Sequence, residues 1–167
     1  MLAGKTDFNG NSDIAVLGTD LEGELLWTRV LGESGNEEVE SMITTSEGKV
    51  IIAGLTTSFT PGNSIILFKL EATGQLLWTK WMQAPSQAQS HHVTPTNDGG
   101  FISTGFGHNP LTGGRDIQVI KFDSSGNIQW EGLYGGSAAD YSQKVHITEE
   151  GDYVVCGSSA SYGSGLI

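Results

Sequence analysis

Short apolar runs alternate along the chain with polar, glycine-bearing punctuation. "DIAVLGTD", "SIILFKLE" and "DIQVIKFD" are apolar, β-rich runs bounded by polar residues, the mark of a strand. A turn follows each one, in "DLEG", "EATG" and "DSSG". An acidic residue opening such a turn and a glycine closing it suit a tight hairpin, because glycine takes positive φ without penalty. A second strand then carries a tryptophan, in "ELLWTRV", "QLLWTKW" and "NIQWEGL". After a longer polar connection comes a third strand around "VESMITT", "SHHVTPT" and "SQKVHIT". A second glycine turn ("SEGK", "NDGG", "EEGD") leads to a fourth strand, "VIIAG", "FISTG" or "YVVCG". No helical periodicity is sustained.

The pattern recurs. Gly4, Gly54, Gly105 and Gly157 stand 50, 51 and 52 residues apart, and Trp27, Trp78 and Trp130 stand 51 and 52 apart. A period near fifty indicates a solenoid or propeller array, and four antiparallel strands per period describe one blade of a β-propeller. The expectation is an all-β chain, an incomplete propeller of three blades and part of a fourth. Residues 1–12 would be the last strand of a partial blade and its loop, 13–63, 64–115 and 116–165 the blades, and 166–167 the start of the next. Gly23, Gly74 and Gly126 become hairpin residues, and Gly54, Gly105 and Gly157 close the fourth strands. The tryptophans in register are assigned to seams between blades, each burying roughly 150–250 Å². Trp81 lies outside that register and is the candidate exposed aromatic.

Charge narrows the partners. Eight Lys and Arg stand against nineteen Asp and Glu, a net charge of −11 over 167 residues. Such a surface repels phosphate backbones and anionic headgroups, which argues against nucleic acid. No apolar stretch is long enough to insert as a transmembrane helix, and "MLAGKTDFNG" lacks the order of a signal peptide. The single cysteine, Cys156, cannot form an internal disulfide and reads as a small core residue.

"DIQVIKFDSSGNIQWEGLYGGSAADYSQKVHITEEGDYVVCG" resembles the extracellular bacterial β-propeller repeat: an aspartate-led strand, D-x-x-G-N, a tryptophan, G-G-S, D-G and a closing glycine. The first repeat departs at "LGESGNEE" and the second at "MQAPSQAQ". The resemblance implies a seven-bladed-type repeat in a secreted or surface-attached bacterial protein, serving as a scaffold or adhesion module, and it carries no catalytic residues. G-x-x-x-W after an acidic residue is also similar, more weakly, to the tryptophan-docking repeat of quinoprotein dehydrogenases.

Catalytic signatures such as G-x-S-x-G, a phosphate loop or H-E-x-x-H do not occur. With only Arg29 and Arg115, the chain lacks the arginine cluster a sialidase-like propeller needs. His91 and His92 are adjacent on a strand and so point to opposite faces, which argues against joint chelation. Their repeat counterparts are polar, placing them toward solvent. In "DFNGNSD", Asp7, Asn9, Asn11 and Asp13 alternate like the opening of a calcium loop. Gly10 is misplaced for that loop and the twelfth position is Gly18, so an ordinary Asx-rich turn is the first reading and calcium the alternative. The functional expectation is a non-enzymatic binding scaffold for protein or glycan, without cofactor, whose open end faces drive self-association or accept further blades. Trp81, His91, His92, His108 and Arg115 are the candidate binding residues. The alternative is an enzyme with a site in a central channel.

Overall fold

The computed structural model describes residues 1–8, 10–59, 62–82 and 87–162. Among them are thirteen strands and no helix. They are β1 (Leu2–Phe8), β2 (Asn11–Thr19), β3 (Leu25–Leu31), β4 (Glu37–Thr44), β5 (Val50–Thr56), β6 (Ser64–Leu70) and β7 (Leu76–Met82). The rest are β8 (Gln89–Pro95), β9 (Phe101–His108), β10 (Arg115–Phe122), β11 (Ile128–Tyr134), β12 (Asp140–Ile147) and β13 (Tyr153–Ser159). Antiparallel pairing groups them into four sheets: β1-β2-β3, β4-β5-β6-β7, β8-β9-β10-β11 and β12-β13, numbered 1 to 4 below.

This grouping is out of phase with the units read from the sequence. A unit at 13–63 would hold β2 to β5, yet β3 and β4 lie in different sheets. The connection from the tryptophan strand to the next strand leaves one sheet and enters another. Each sheet is instead a meander that begins with the strand after that connection.

The central sheets are apolar on both faces, and period-2 alternation sends successive residues to opposite neighbours. On β5, Val50 and Ile52 join Ile14, Val16, Ile66 and Phe68 in a core shared with sheet 1. Ile51 and Ala53, between and beyond them, join Ile65, Leu67, Phe101 and Phe122 in a core shared with sheet 3. A third core, Ile102, Val119 and Val145, joins sheets 3 and 4. Every residue of β5 and β6 is buried, the continuous apolar run expected of a strand covered on both sides. The first strand of each sheet makes the crossing contacts: β4 packs on β1 and β2, β8 on β4 and β5, and β12 on β8 and β9.

Two repeated glycines have distinct causes. Gly23, Gly74 and Gly126 adopt φ of 89°, 82° and 76°, a region that side chains disfavour. Each donates its N–H to the carbonyl of the acidic residue that opens its turn: Asp20, Glu71 or Asp123. Gly74 has a second constraint, since a Cβ there would lie 2.6 Å from the ring of Trp27, which belongs to the preceding sheet. Gly126 is likewise covered by Trp78, at 2.8 Å. Trp27 and Trp78 therefore each lie on the turn of the next sheet. Trp130 has no such turn; it tilts against Tyr153 at 5.8 Å and stays 39% exposed, short of the sealed seam expected for it.

Gly54, Gly105 and Gly157 sit opposite bulges at Val39/Ser41, Ser90/His92 and Ser142/Lys144. A Cβ at any of the three would overlap a backbone carbonyl oxygen, that of Glu38, Gln89 or Tyr141. At Gly4, in the same register on β1, an added Cβ would meet nothing within 4 Å. Cys156 is exposed, contrary to the core expectation, because β13 lacks a sheet beyond it.

Polar groups in the stack are satisfied across strands. Lys121, almost fully buried, donates to Asp98 at 2.8 Å, to the Phe122 carbonyl at 2.8 Å and to Gln129 at 2.9 Å. The Lys121 ammonium, then the Thr96 hydroxyl and the Gly100 amide, hold the Asp98 carboxyl well below its ordinary range.

Gly105→Ala is expected to cost roughly 2–3 kcal/mol or more through steric strain at the bulge, while Gly4→Ala stays within about 0.5 kcal/mol of the parent. Trp78→Ala should cost about 3–5 kcal/mol; urea unfolding of the three variants measures all three values. A depressed carboxyl stabilises the fold above its unfolded value of 3.8 and loses that contribution as pH falls. Asp98→Asn should therefore destabilise at neutral pH and flatten the loss of stability below 3.8, read from urea midpoints across the acid range.

Candidate binding face

The two ends of each sheet differ. One end carries the tight glycine turns, and the other carries the longer connections, including residues 32–36, 109–114 and 135–139. At this longer-loop end stand the starts of β2, β6 and β10 and the starts of β4, β8 and β12. Loops on a rigid sheet end are where binding groups usually reside.

Residues far apart in sequence meet there between sheets 3 and 4. The Arg115 guanidinium lies over the Phe106 ring at 5.1 Å, donates to the Tyr141 hydroxyl at 3.2 Å and reaches the Gln87 carbonyl. Phe106 meets Tyr141 edge-on at 5.3 Å and His91 at 5.6 Å. The structure thus brings together two of the sequence candidates, His91 and Arg115, and adds two aromatics that sequence reasoning missed. His91 is the bulge residue of β8, and its Nδ1 is 2.7 Å from the Ser142 carbonyl of sheet 4.

The remaining candidates are scattered. His92 is half-buried with its Nδ1 enclosed and unpartnered, and burial, then Lys144, lowers its pKa. The expected solvent-facing position is therefore corrected for both histidines, because the sheets stack closely at the bulge. His108 pairs with Arg115 in the β9–β10 ladder and lines a cavity of about 520 Å³ with Met82, Ile120 and Leu133. Trp81 is 40% exposed and stacks on Phe59 at 4.7 Å.

Among the described residues, the calcium-loop alternative does not come together on one face. Asp7 pairs with Ser12 and shares its face, whereas Asn11 and Asp13 point to the other. Asn11 donates to the Ser34 carbonyl at 2.7 Å, and Asn9 lies outside the described residues.

Asp13 instead turns toward Glu37 of sheet 2. Both are buried, and a Cβ on Gly32 would lie 2.9 Å from Glu37 Oε2 and closer still to Asp13 Oδ1. Burial, then the Glu37 charge, raises the Asp13 pKa. Asp116 and Asp140 repeat the arrangement between sheets 3 and 4, converging above Gly135. Burial works to raise the Asp140 carboxyl, but the Ser159 and Ser161 side chains and the Gly136 amide bring it to about 2.

A different surface opens at sheet 4. β13 pairs only with β12, while its counterparts β5 and β9 are flanked on both edges. Beside it an apolar cavity of about 550 Å³ is lined by Ile117, Val119, Trp130, Tyr134, Tyr153 and Val155. Among the described residues no helix is long and apolar enough to cross a membrane.

No protein-family model matches the sequence, and no curated protein does. The fold is similar to the crystal structure of a protein of unknown function from Bacteroides caccae, with a TM-score of 0.53 and 13% identity. The match covers 86% of this chain and 45% of that one, so the chain spans less than half the length of its structural neighbour.

If the Arg115 cluster acts as a unit, a double-mutant cycle of Arg115→Ala with Tyr141→Phe should give a coupling of about 0.5–1 kcal/mol. Additive losses in urea unfolding would dissolve the cluster into separate contacts.

Proposed function

We propose that the chain is an arc of a β-propeller acting as a non-enzymatic scaffold, which binds protein or glycan at its longer-loop face. The observation that carries this reading is the stack itself: four-stranded meanders, apolar on both faces, each sealed by its neighbour's tryptophan. Meanders stacked in this way are the building plan of propellers. In that arrangement β4, β8 and β12 line the channel. The repeat resemblance supports a secreted or surface location, and the acidic surface supports partners other than nucleic acid.

The longer-loop face offers what such partners use. Arg115, Tyr141 and His91, packed on the buried Phe106 ring, combine a planar cation with partly exposed aromatic groups, residue types enriched where binding energy concentrates. The end sheets are both incomplete. Sheet 4 holds the first and second positions in β12 and β13, and sheet 1 holds the second, third and fourth in β1, β2 and β3, so the second position is present in both. Further repeats of the same kind would supply the third and fourth strands beyond β13, or a second copy would supply them from its β2 and β3 with its β1 displaced, and either would cover the cavity beside β13.

Two measurements test the proposal. A screen of the purified chain against glycans and cell-surface proteins should yield a ligand whose capture weakens at least tenfold with Arg115→Ala. A ligand indifferent to Arg115, or turnover of a substrate, would contradict it. Light scattering coupled to size exclusion should show end-to-end association at micromolar concentration, lost with Val154→Lys on β13; a strictly monomeric chain would count against completion by a second copy.

A further inference from the structure

Two pairs of buried carboxylates join neighbouring sheets, and among the described residues no ion pair supplies them a countercharge. Asp13 on β2 faces Glu37 on β4, and Asp116 on β10 faces Asp140 on β12; all four are at most 5% exposed. Each pair converges on a glycine whose missing side chain makes the room, Gly32 for the first and Gly135 for the second.

Within each pair the two carboxylates are not equivalent. Glu37 accepts from the Thr56 and Ser58 hydroxyls, both at 2.5 Å, and from the Glu33 amide at 2.8 Å. Asp140 accepts from the Gly136 amide at 3.0 Å and from Ser161 through its hydroxyl at 2.7 Å and its amide at 3.3 Å. The partner acids differ: Asp13 Oδ1 and Asp116 Oδ1 are fully enclosed and accept no hydrogen bond. Asp116 uses only Oδ2, taking the Asn109 amide at 2.6 Å and the Thr112 hydroxyl at 3.5 Å.

A buried carboxylate oxygen without a donor is costly, and a second carboxylate beside it adds repulsion. Among the described residues, the ion pairs are Lys5 with Glu38, Lys49 with Glu71 and Lys121 with Asp98, none of which reaches these four acids. Arg115, next in sequence to Asp116, is turned to Tyr141, Gln87 and the Phe106 ring.

The repeat supplies an internal comparison. At the seam between sheets 2 and 3 the positions of Asp13 and Glu37 are held by Ser64 and Ala88, both buried. Both carboxylates are replaced together there. Loop organisation alone would not require that: a carboxylate at the Ala88 position could cap its loop without a second acid.

We propose that each pair is a calcium site, with Asp13 and Glu37 joining sheets 1 and 2 through one ion and Asp116 and Asp140 joining sheets 3 and 4 through another. The donor set is hard oxygen throughout, with hydroxyls of Thr56 and Ser58 at one site and of Thr112 and Ser161 at the other within the same hydrogen-bonded groups. Calcium accepts carboxylate, hydroxyl, carbonyl and water oxygens in flexible geometry, whereas zinc and copper favour the nitrogen and sulfur ligands that these pairs lack. No group of three or more His, Cys, Asp or Glu suited to a metal occurs among the described residues. Two carboxylates per site therefore place the affinity in the weak range of extracellular modules, on the order of 10⁻⁴ to 10⁻³ M. The sites do not depend on ligand binding at the Arg115 cluster or on ring closure.

The test uses the full chain stripped with chelator and dialysed against millimolar calcium. Two ions should bind per chain, with a rise in melting temperature. Asp13→Asn should remove one ion and Asp116→Asn the other, while Glu22→Gln, on an exposed turn, should remove neither. Removing an acid can itself relieve repulsion, so the readout is the calcium dependence and not the baseline melting point. In the parent protein, calcium titration should shift the Gly32 and Gly135 amide resonances together with the thermal effect, which needs no variant. Absence of binding at millimolar calcium, or binding that survives both substitutions, overturns the proposal. So does a melting point that rises on mild acidification and ignores calcium, which would identify a shared proton in each pair.

Discussion

The two central sheets of this protein must be covered on both faces, and the rest of the structure follows from that requirement. A four-stranded meander with Ile51 and Ala53 on one side and Val50 and Ile52 on the other cannot face water on either. Burial of apolar area, at about 25 cal/mol per Å², then favours stacking over isolated hairpins. A two-stranded hairpin is marginal alone, and a small sheet needs its apolar face covered, so each sheet here depends on its neighbour.

Close stacking dictates the special residues. The turn glycine in G-x-x-x-W takes positive φ, and at Gly74 and Gly126 it also lies beneath a tryptophan from the preceding sheet. The motif's two ends thus contact different sheets: the glycine receives one ring while the tryptophan four residues later covers the next glycine. The closing glycines answer a different need, the bulge in each first strand, where one extra residue (Glu40, His91 or Gln143) is displaced from the ladder. Those displaced side chains reach across seams: Glu40 accepts from Gln89, and His91 contacts the Ser142 carbonyl.

Strand content, the repeat and the turn glycines were legible in the sequence because they are local: period-2 runs, positive-φ glycines and fixed spacing. The grouping of strands into sheets was not. The connections at 32–36 and 57–63 are similar in length, so nothing local reveals that the first changes sheets while the second stays within one. Asp13 was visible only as part of an Asx-rich turn, since its partner Glu37 is on another sheet. His91 and Arg115 stood out as breaks in the repeat, but Phe106 and Tyr141, which unite them, resemble ordinary strand residues until the seam is formed.

Native-state hydrogen exchange at a concentration where the chain is monomeric tests most directly whether stacking holds the fold together. Amides of β5, β6, β9 and β10, in sheets covered on both sides, should exchange only by global unfolding. Those of β13, covered on one side and paired on one edge, should open by a separate, lower-energy route. Uniform protection across all thirteen strands would contradict the account, because each hairpin would then be holding itself together without its neighbours.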